Sequence, residues 1–568
     1  MTHPAVPRPL RVLFVGYQDQ DNLGLRYLMA VARAAGHEVG IETFAADPAR
    51  LVARARAERP DVIGLSLIFQ YMTPAFARVV AALRAAGVTA HVSVGGHYPS
   101  FEPDGTLAAL PGADSVVRFE GEATMAALLA RLAAGEDWRD LPGLAARLDD
   151  GQVKVNPLRP QVPDLDTIPW PLREDIPYES SDRPTAAILG SRGCPWNCDF
   201  CSIRPFYEAQ EGSLRRLRSP ADVVAEMRHL YHDRGVALFL FQDDDFLATG
   251  GRARAWAGEV ADRIRDSDLA GQVAWKMSCR SDELRPDIVA RLKAGGLTHV
   301  YMGVESGDPT GLKNMNKMLK PERHLEAGRI LRAEGLSFDF GFMLLDPWSD
   351  FSQIANNIAF LDAFAGDGWS VAGFCRMLPY AGTPTARRLT SEGRLGGTAH
   401  EPDYRFLDPR LDRFHEWMIA TFHRRNFTTE GLSHLLRAII FESRLQPPAL
   451  AWMTAEERRW LQHVSARANQ AALVTLDLGL RHVAGCATPG DVLVSGGYLG
   501  DLTAREAAEE AALTRMLHAF WTDPDRQRRR QARLRAAQGP LPGGFDAAWT
   551  LAPGDAPGAW ETRGLGVR

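Results

Sequence analysis

Strand-like apolar runs alternate with amphipathic helical stretches over residues 1–150. In the stretch between the first two runs, Leu25, Leu28 and Ala32 share one helix face. Gly36 follows them, at the point where a helix is expected to end. Because the runs recur about every 25 residues, as βαβ units do, the pattern predicts an α/β domain with a parallel, doubly wound Rossmann-like sheet. The predicted strands are RVLFVG (11–16), EVGIETF (38–44), DVIGLSL (61–67), HVSVGG (91–96) and SVVRF (115–119).

This periodicity is interrupted at 151–183, a proline-rich segment that contains VNPLRPQVPDLDTIPWPL. We interpret the segment as a linker that packs on a neighbouring surface. Alternation returns over 184–394, where six apolar runs favour a partial (β/α)6 TIM-like barrel over a second flat sheet. In such a barrel, functional residues cluster at the carboxyl ends of the strands. The predicted strands are TAAILGS, VALFLFQDD, VAWKMSC, THVYMGVES, FDFGFMLL and SVAGFCRML.

The pattern becomes mostly helical over 395–536, as in LDRFHEWMIATFHRRNF and LSHLLRAIIFESRL. We therefore predict a helical C-terminal domain for this region. One short apolar segment within it, GDVLVSGG at 490–497, indicates a further β element. Residues 537–568 are rich in Gly, Pro and Ala, and we expect them to form a poorly ordered tail.

Composition and charge exclude several classes of function. The chain has 568 residues, enough for several domains, and its 45% hydrophobic and 24% charged content is typical of globular proteins. A net charge of −5 argues against a nucleic-acid partner, and we interpret the basic run RQRRRQARLR (526–535) as a solvated helix face. No apolar stretch reaches the ~18 residues of a membrane span, and the start lacks a secretory core. Six cysteines are too few for a disulfide framework, so we expect a reduced, cytoplasmic setting.

Three of the six cysteines lie within eight residues of each other in the segment SRGCPWNCDFC. A structural zinc site usually uses two CxxC pairs, and only one such pair is present. A thioredoxin-like redox motif would leave Cys194 without a role. A [4Fe-4S] cubane fits Cys194, Cys198 and Cys201 better, because three thiolates hold three irons and leave the fourth iron open to a small ligand. We interpret the other three cysteines as buried structural thiols: Cys279, Cys375 and Cys486.

The spacing CxxxCxxC after the first predicted barrel strand resembles the radical S-adenosylmethionine (SAM) superfamily. This resemblance implies that the open iron binds the amino and carboxylate groups of SAM. It also implies that Phe200, just before the last cysteine, lies near the adenine. The segment YMGVESGDP resembles the family's GxES segment, so Glu305 and Ser306 are expected to face SAM.

Charged residues follow two other predicted barrel strands. FLFQDDDF places Asp243 and Asp244 after the second strand, and clustered carboxylates need a cationic partner such as the SAM ammonium. An acidic helix N-cap is the alternative. Arg280 follows the third strand and is a candidate partner for the SAM carboxylate, with a surface salt bridge as the alternative. LPYAGTP at 378–384 resembles the family's barrel-closing turn, where we expect structure rather than chemistry.

The front domain resembles the cobalamin-binding domain that precedes some radical SAM barrels. The matching segments are DQDNLGLRYL (19–28), GLSL (64–67), VGGHYPSFEP (94–103) and FEGEAT (119–124). Well-known cobalamin domains carry DxHxxG, whereas this chain reads DQDNLG, with Asp21 at the histidine position. A carboxylate is a poor ligand for low-valent cobalt, so a histidine-on mode is not expected. The resemblance implies a cobalamin pocket at Asp21, Gly24, Ser66, Gly95 and Gly96, whose glycines allow close backbone approach.

Together these resemblances imply an enzyme with two cofactors. The reduced cluster would split SAM to a 5′-deoxyadenosyl radical that takes hydrogen from an unactivated carbon, and methylcobalamin would supply a methyl group. The substrate would be a small molecule, a lipid or a peptide, and flavodoxin or ferredoxin would donate electrons. Two alternatives stay open: a ring closure or rearrangement as in tetrapyrrole cyclases, and a cobalamin- or redox-sensing binding protein. A front domain that binds nothing, or only docks protein, is a further alternative.

Overall fold

The computed structural model describes residues 8–18, 21–173, 179–180, 183–248, 250–447, 450–494 and 496–537. Asp19 and Gln20 of the predicted cobalamin motif lie outside these ranges. The predicted tail also lies outside them, apart from Ala537, which ends the last described helix. Within the described ranges, no helix is both long and apolar enough to cross a membrane.

The front of the chain folds into one seven-stranded sheet. Its strands are β1 (Arg11–Gly16), β2 (Glu38–Thr43), β3 (Val62–Ser66), β4 (His91–Gly95), β5 (Ser115–Val117), β6 (Leu144–Arg147) and β7 (Val153–Val155). Their order is β2-β1-β3-β4-β5-β6-β7, with β1 to β5 parallel and β6 and β7 antiparallel at one edge. The five predicted strands are all present, and the doubly wound sheet is confirmed. β7 falls within the segment predicted as a linker.

Helices cover both faces of this sheet. They are α1 (Leu23–Ala34), α2 (Ala49–Glu58), α3 (Thr73–Ala85), α4 (His97–Phe101), α5 (Pro103–Ala109) and α6 (Glu122–Ala134). Successive residues of β1 point to opposite faces, so Leu13 packs with Leu83 of α3 while Phe14 packs with Leu128 of α6. Each face therefore has its own apolar core, as a doubly wound fold requires.

A second seven-stranded sheet begins at β8 (Glu179–Ser180) and forms the partial barrel. Its parallel strands are β9 (Arg183–Ile188), β12 (Leu238–Phe241), β13 (Ala274–Arg280), β14 (Leu297–Glu305), β15 (Ser337–Leu345) and β16 (Cys375–Arg376). A short antiparallel pair, β10 (Ser191–Arg192) and β11 (Arg216–Leu217), follows the first of these strands. The sheet order β16-β15-β14-β13-β12-β9-β8 confirms the six predicted βα units. The barrel helices are α7 (Ile203–Glu208), α8 (Pro220–Arg234), α9 (Gly251–Arg265), α10 (Pro286–Ala294), α11 (Pro309–Asn314), α12 (Pro321–Ala333) and α13 (Phe351–Ala365).

The remainder of the described chain is mostly helical and shares the barrel core. After α14 (Pro384–Ser391) and the hairpin β17 (Leu395–Gly397) and β18 (Pro402–Tyr404) come α15 (Pro409–Phe427), α16 (Leu432–Ser443), α17 (Ala455–Gly485), α18 (Pro489–Val494), α19 (Gly496–Trp521) and α20 (Pro524–Ala537). Leu476 and Leu480 of α17 belong to the same buried cluster as Phe364 of α13. In the basic run, Arg530 is buried against Glu442 at 2.8 Å, so this side of α20 packs on α16 rather than facing solvent.

The described residues of GDVLVSGG are helical, so the prediction of a β element was wrong. Thr488 and Asp491 cap the start of α18 reciprocally, because each backbone N–H donates to the other side chain at 2.8 and 3.3 Å. Pro489 follows the cap at the first helical position, where proline is favoured. Val492 is buried while Leu493 and Val494 are exposed, so the apolar run does not mark a buried strand.

Candidate active site

The three clustered cysteines lie on one loop between β10 and α7, beyond the carboxyl end of the first barrel strand. Each thiol is half-buried and outside any disulfide. The Cys201 N–H donates to the Cys198 carbonyl at 3.1 Å, which closes a turn between these two ligand candidates. Asp199 ties the turn to the rest of the barrel, since its N–H donates to the Met315 carbonyl at 3.0 Å. The loop is thus held by backbone contacts that leave the sulfurs available.

The chemistry of this donor set fits a multi-iron cluster. Among the described residues, no three His, Cys, Asp or Glu side chains converge closely enough to coordinate a single metal ion. Burial raises the pKa of all three thiols, that of Cys201 to about 12, so without a metal they are protonated at neutral pH. Iron would have to displace these protons, as metal binding to buried thiols requires. The three thiols are therefore candidate ligands that a bound metal would have to deprotonate.

A guanidinium lies beside the middle cysteine. Arg280 Nη1 is 3.9 Å from the Cys198 sulfur, and Nη2 donates to the Lys317 carbonyl at 2.8 Å. The guanidinium also lies 3.8 Å above the ring of Trp196, which belongs to the cysteine loop. Arg280 is buried and its Nε lies 3.1 Å from Asp282, so the salt bridge considered from the sequence is present but is not on the surface. Its charge favours an anionic thiolate at Cys198.

The carboxylates that follow β12 accept hydrogen bonds from residues just before the first clustered cysteine. Asp243 is buried and accepts hydrogen bonds from the Gly190 N–H at 3.0 Å and from the Ser191 hydroxyl. This geometry corrects the expectation that Asp243 contacts SAM, and it also replaces the helix N-cap alternative. Asp244 accepts from the Gly193 N–H at 2.9 Å, and burial raises its pKa to about 6.

The carboxyl end of β14 forms a cradle in the barrel interior. Glu305 is 3.3 Å from Lys317 Nζ, and both side chains are buried. Gly303 pairs with Gly341 on the neighbouring strand. A Cβ on Gly303 would lie 2.7 Å from Lys317 Nζ, and one on Gly341 would lie 2.8 Å from the Tyr301 hydroxyl. The paired glycines therefore leave room for Lys317, Glu305 and Tyr301 to pack closely against these strands.

Ser306 does not share in this cradle. Its hydroxyl donates to Asn357 Oδ1 at 2.9 Å and accepts from the Asp308 N–H at 3.1 Å, and the side chain is fully buried. The expected contact between the Ser306 side chain and SAM is therefore corrected to a structural role at the start of α11. Phe200, by contrast, packs beside the buried methionines Met315, Met343 and Met377 on the barrel side of the loop.

A cavity of about 870 Å³ lies between the front sheet and the barrel. Gly24, Ser66, Gly95 and Gly96 all line it at the carboxyl ends of the front strands. Gly96 has φ of 116°, and a Cβ there would lie 2.2 Å from the Leu67 carbonyl oxygen, so only glycine fits. Barrel residues line the opposite wall: Leu189, Arg192, Phe206, Tyr207, Gln242 and Asp244. The cavity is large enough for a sizeable cofactor.

Asp21 also lines this cavity, but its carboxylate is engaged elsewhere. The side chain is buried at φ 58° and forms ion pairs with Arg26 and, at 3.2 Å, with Arg173. The oxygen that pairs with Arg173 also accepts from the Ala187 N–H of β9 at 3.3 Å. Asp21 therefore joins the front sheet to the first barrel strand, and its oxygens are committed to those partners.

Sequence reasoning missed a buried charge network on the cavity wall. Arg192 pairs with Glu122 at 2.6 Å and with Glu120 at 3.5 Å, and it lies 4.9 Å from the Tyr27 ring centre. Glu120 also pairs with Arg216. The available signal was the arginine preceding GC in SRGC together with the two glutamates of FEGE. Nothing local pairs them, because Arg192 and Glu122 are 70 residues apart.

Comparison with known families supports this division of the chain. Residues 11–129 match the B12 binding domain family, and residues 188–358 match the Radical SAM superfamily. The first match contains β1 to β5 and most of α6, and the second contains the cysteine loop and β12 to β15. The two matches meet at the large cavity.

Two curated relatives align with half of the chain or more. The chain is 28% identical over 437 residues to an uncharacterized methyltransferase of Pyrococcus horikoshii, which covers 75% of this chain and 88% of that protein. It is also 28% identical over 298 residues to an anaerobic magnesium-protoporphyrin IX monomethyl ester cyclase of Rubrivivax gelatinosus. This alignment covers 50% of this chain and 51% of that protein. The second alignment spans about half of each protein.

The fold is shared with a solved structure. OxsB, a cobalamin-dependent S-adenosylmethionine radical enzyme solved with aqua-cobalamin and S-adenosylmethionine bound, superposes with a TM-score of 0.65. The superposition covers 93% of this chain and 84% of that chain at 16% identity. At this identity the likeness establishes the fold, including the helical C-terminal region.

Proposed function

Because the chain joins a B12-binding domain to a radical SAM domain, we propose that it is a cobalamin-dependent radical SAM enzyme that methylates an unactivated carbon. A bound [4Fe-4S] cluster and SAM would supply the radical that removes hydrogen, and bound cobalamin would supply the methyl group. The main support for this proposal is the large cavity. Glycines of the front domain line one side of it, and barrel residues that flank the cysteine loop, such as Arg192 and Phe206, line the other. The relative named as a methyltransferase supports the same outcome.

The chain's own residues would bind and position these groups. Cys194, Cys198 and Cys201 would hold the irons, and Arg280 would balance the negative charge that builds up beside Cys198. Glu305 would bind SAM beside the paired glycines of β14 and β15. Asp244 and Phe200 stay candidate SAM contacts.

The cobalamin site would use the glycine-lined half of the cavity. Gly24, Ser66, Gly95 and Gly96 would face the cofactor tail, and Arg192 on the opposite wall would face the ring. Asp21 would position the two domains across the cofactor rather than ligate cobalt, since its carboxylate is held by two arginines. We further propose a small-molecule or peptide substrate and an external flavodoxin or ferredoxin as electron donor.

Cleavage of SAM by the reduced, anaerobically reconstituted protein tests this proposal. We expect 5′-deoxyadenosine to form with the wild type and with Cys486→Ala, whose thiol lies after α17 and contacts the His482 carbonyl. Cys198→Ala should abolish it. A wild-type protein that binds the cluster yet forms no 5′-deoxyadenosine would contradict the proposal and favour a sensing role.

Cobalamin binding has its own readout in the optical spectrum. Gly96→Ala should lose the bound cobalamin, because its Cβ would overlap the Leu67 carbonyl. Gly497→Ala is the matched control, since no atom lies within 4 Å of a Cβ there.

The likeness to the cyclase favours ring closure as the second candidate reaction. Product mass separates the two, because only methylation adds the mass of a methylene group.

A further inference from the structure

A second cavity, of about 340 Å³, lies between the front domain and the cysteine loop. It shares Ile68, Phe69 and His97 with the larger cavity, so the two spaces are neighbours. Cys201 lies on its opposite wall. A molecule held here would lie between the proposed cobalamin site and the proposed cluster. The other lining residues are Gln70, Tyr98, Phe101, Phe200, Ser202, Ile203, Tyr380 and Ala381.

The walls of this cavity are largely aromatic. Phe69 is 38% exposed, although it stacks on Tyr71 at 5.6 Å and 8° and meets Tyr380 at 5.6 Å. His97 presents a flat ring that stacks on Phe206 at 4.4 Å and 16°. Flat aromatic faces gain most from a ring placed against them. The volume is at the small end of the range of about 300–1,000 Å³ found for small-molecule pockets.

Among the described residues that line this cavity, none has a charged side chain. There is no Asp, Glu, Lys or Arg on its walls. Burial lowers the pKa of His97 to about 4, so the imidazole is neutral at pH 7. The Gln70 amide is occupied, because its oxygen accepts from the Ala381 N–H at 2.7 Å and its nitrogen donates to the Ala399 carbonyl at 3.4 Å. A phosphate, carboxylate or ammonium placed here would lose its water without gaining an ion-pair partner from the walls.

We infer that the smaller cavity receives an uncharged, apolar ring system of the substrate and excludes charged groups. This inference rests on the proposed function, since the position between the two cofactor sites is what makes the occupant the methyl acceptor. Any charged part of the substrate would lie outside the smaller cavity, on the solvent side of Phe69.

Two probes that differ by one charge test this inference by equilibrium dialysis against the reconstituted holoenzyme. N-phenyl-1-naphthylamine is uncharged, and 8-anilinonaphthalene-1-sulfonate carries the same rings with a sulfonate. We expect the uncharged probe to bind more than about tenfold tighter, since the sulfonate would be buried without a cation to pair with. Equal affinities, or no binding of the uncharged probe, would overturn the inference.

Changing Phe69 assigns the binding to this cavity. Phe69→Lys places a cation at its wall, so it should weaken the uncharged probe and strengthen the sulfonate probe. A gain of affinity for the sulfonate shows at the same time that the variant is folded. Val474→Glu, on an exposed face of α17, should leave both affinities unchanged. If Phe69→Lys changes neither affinity, the probes bind elsewhere and the inference fails.

A parallel assay separates failure of this inference from failure of the proposed function. The same holoenzyme preparation is assayed for 5′-deoxyadenosine formation from SAM. Cleavage together with loss of the probe preference refutes only the substrate class. Absence of cleavage refutes the proposed function, and with it the claim that the occupant is a methyl acceptor.

Discussion

Replacing Glu283 by glutamine tests how the cysteine loop is held. The Trp196 indole N–H, on that loop, donates to Asp245 at 2.9 Å and to Glu283 at 3.0 Å. Both carboxyl groups are buried, and burial, followed by the charge of Asp245, raises the pKa of Glu283 to about 9. Glu283 therefore keeps its proton at neutral pH.

The sign of the pH effect follows from this raised pKa. Glu283 binds its proton more tightly in the folded protein than in the unfolded chain, where its pKa is near 4.5. Its stabilising contribution is complete below about pH 4.5 and is lost as the pH rises towards 9. The loss is up to about 1.4 kcal/mol per pH unit, or up to about 2.7 kcal/mol between pH 6 and pH 8. Glutamine does not ionise, so Glu283→Gln should gain this amount relative to the wild type.

Hydrogen exchange measured by mass spectrometry on β13 peptides gives the local free energy of opening at each pH. This local readout is preferable to global unfolding, because a chain of several domains does not unfold in one step. Glu322→Gln, an exposed carboxylate on α12, is the control and should show no pH-dependent difference. A difference in the free energy of opening between Glu283→Gln and the wild type that stays constant from pH 6 to pH 8 would refute the raised pKa of Glu283.

Three further changes have expected outcomes. Asp21→Ala leaves two buried arginines without their carboxylate, so we expect a loss of about 3–5 kcal/mol, visible as a lower free energy of opening in hydrogen exchange on α1 peptides. An unchanged free energy of opening would exclude the ion pairs. Gly341→Ala should weaken SAM binding more than about tenfold in equilibrium dialysis, while Gly497→Ala should not, and equal binding would mean that the cradle is not the SAM site. Arg280→Gln removes a positive charge 3.9 Å from the Cys198 sulfur, so the cluster should become harder to reduce in an electron paramagnetic resonance titration. A potential that does not move would place that charge outside the influence of the cluster.

The architecture was largely accessible from the sequence. Strand periodicity located β1 to β5 and the six parallel barrel strands to within a few residues, because alternation of buried positions is a local property of each segment. The cysteine spacing identified the loop that lies beyond the first barrel strand. Departures from the prediction include β7, within the predicted linker, and α18, where a capping pair and a proline outweighed a short apolar run.

The roles of the charged residues were not accessible in the same way. Asp21 and Asp243 were expected at cofactors, and Ser306 was expected at SAM, yet each makes its hydrogen bonds within the protein. Each of these residues lies where the sequence motif predicts, next to a strand end. Which way its side chain points is decided by partners far along the chain, such as Ala187 for Asp21.

The sequence by itself therefore determined the order of the elements, the two domain types and the position of the cysteine loop. Only the tertiary structure decided which carboxylates pair with arginines, where the two cavities lie, and that the smaller one has no charged wall. The physical reason is that apolar periodicity is written into neighbouring residues, whereas the energy of a buried charge depends on partners that folding brings from elsewhere in the chain.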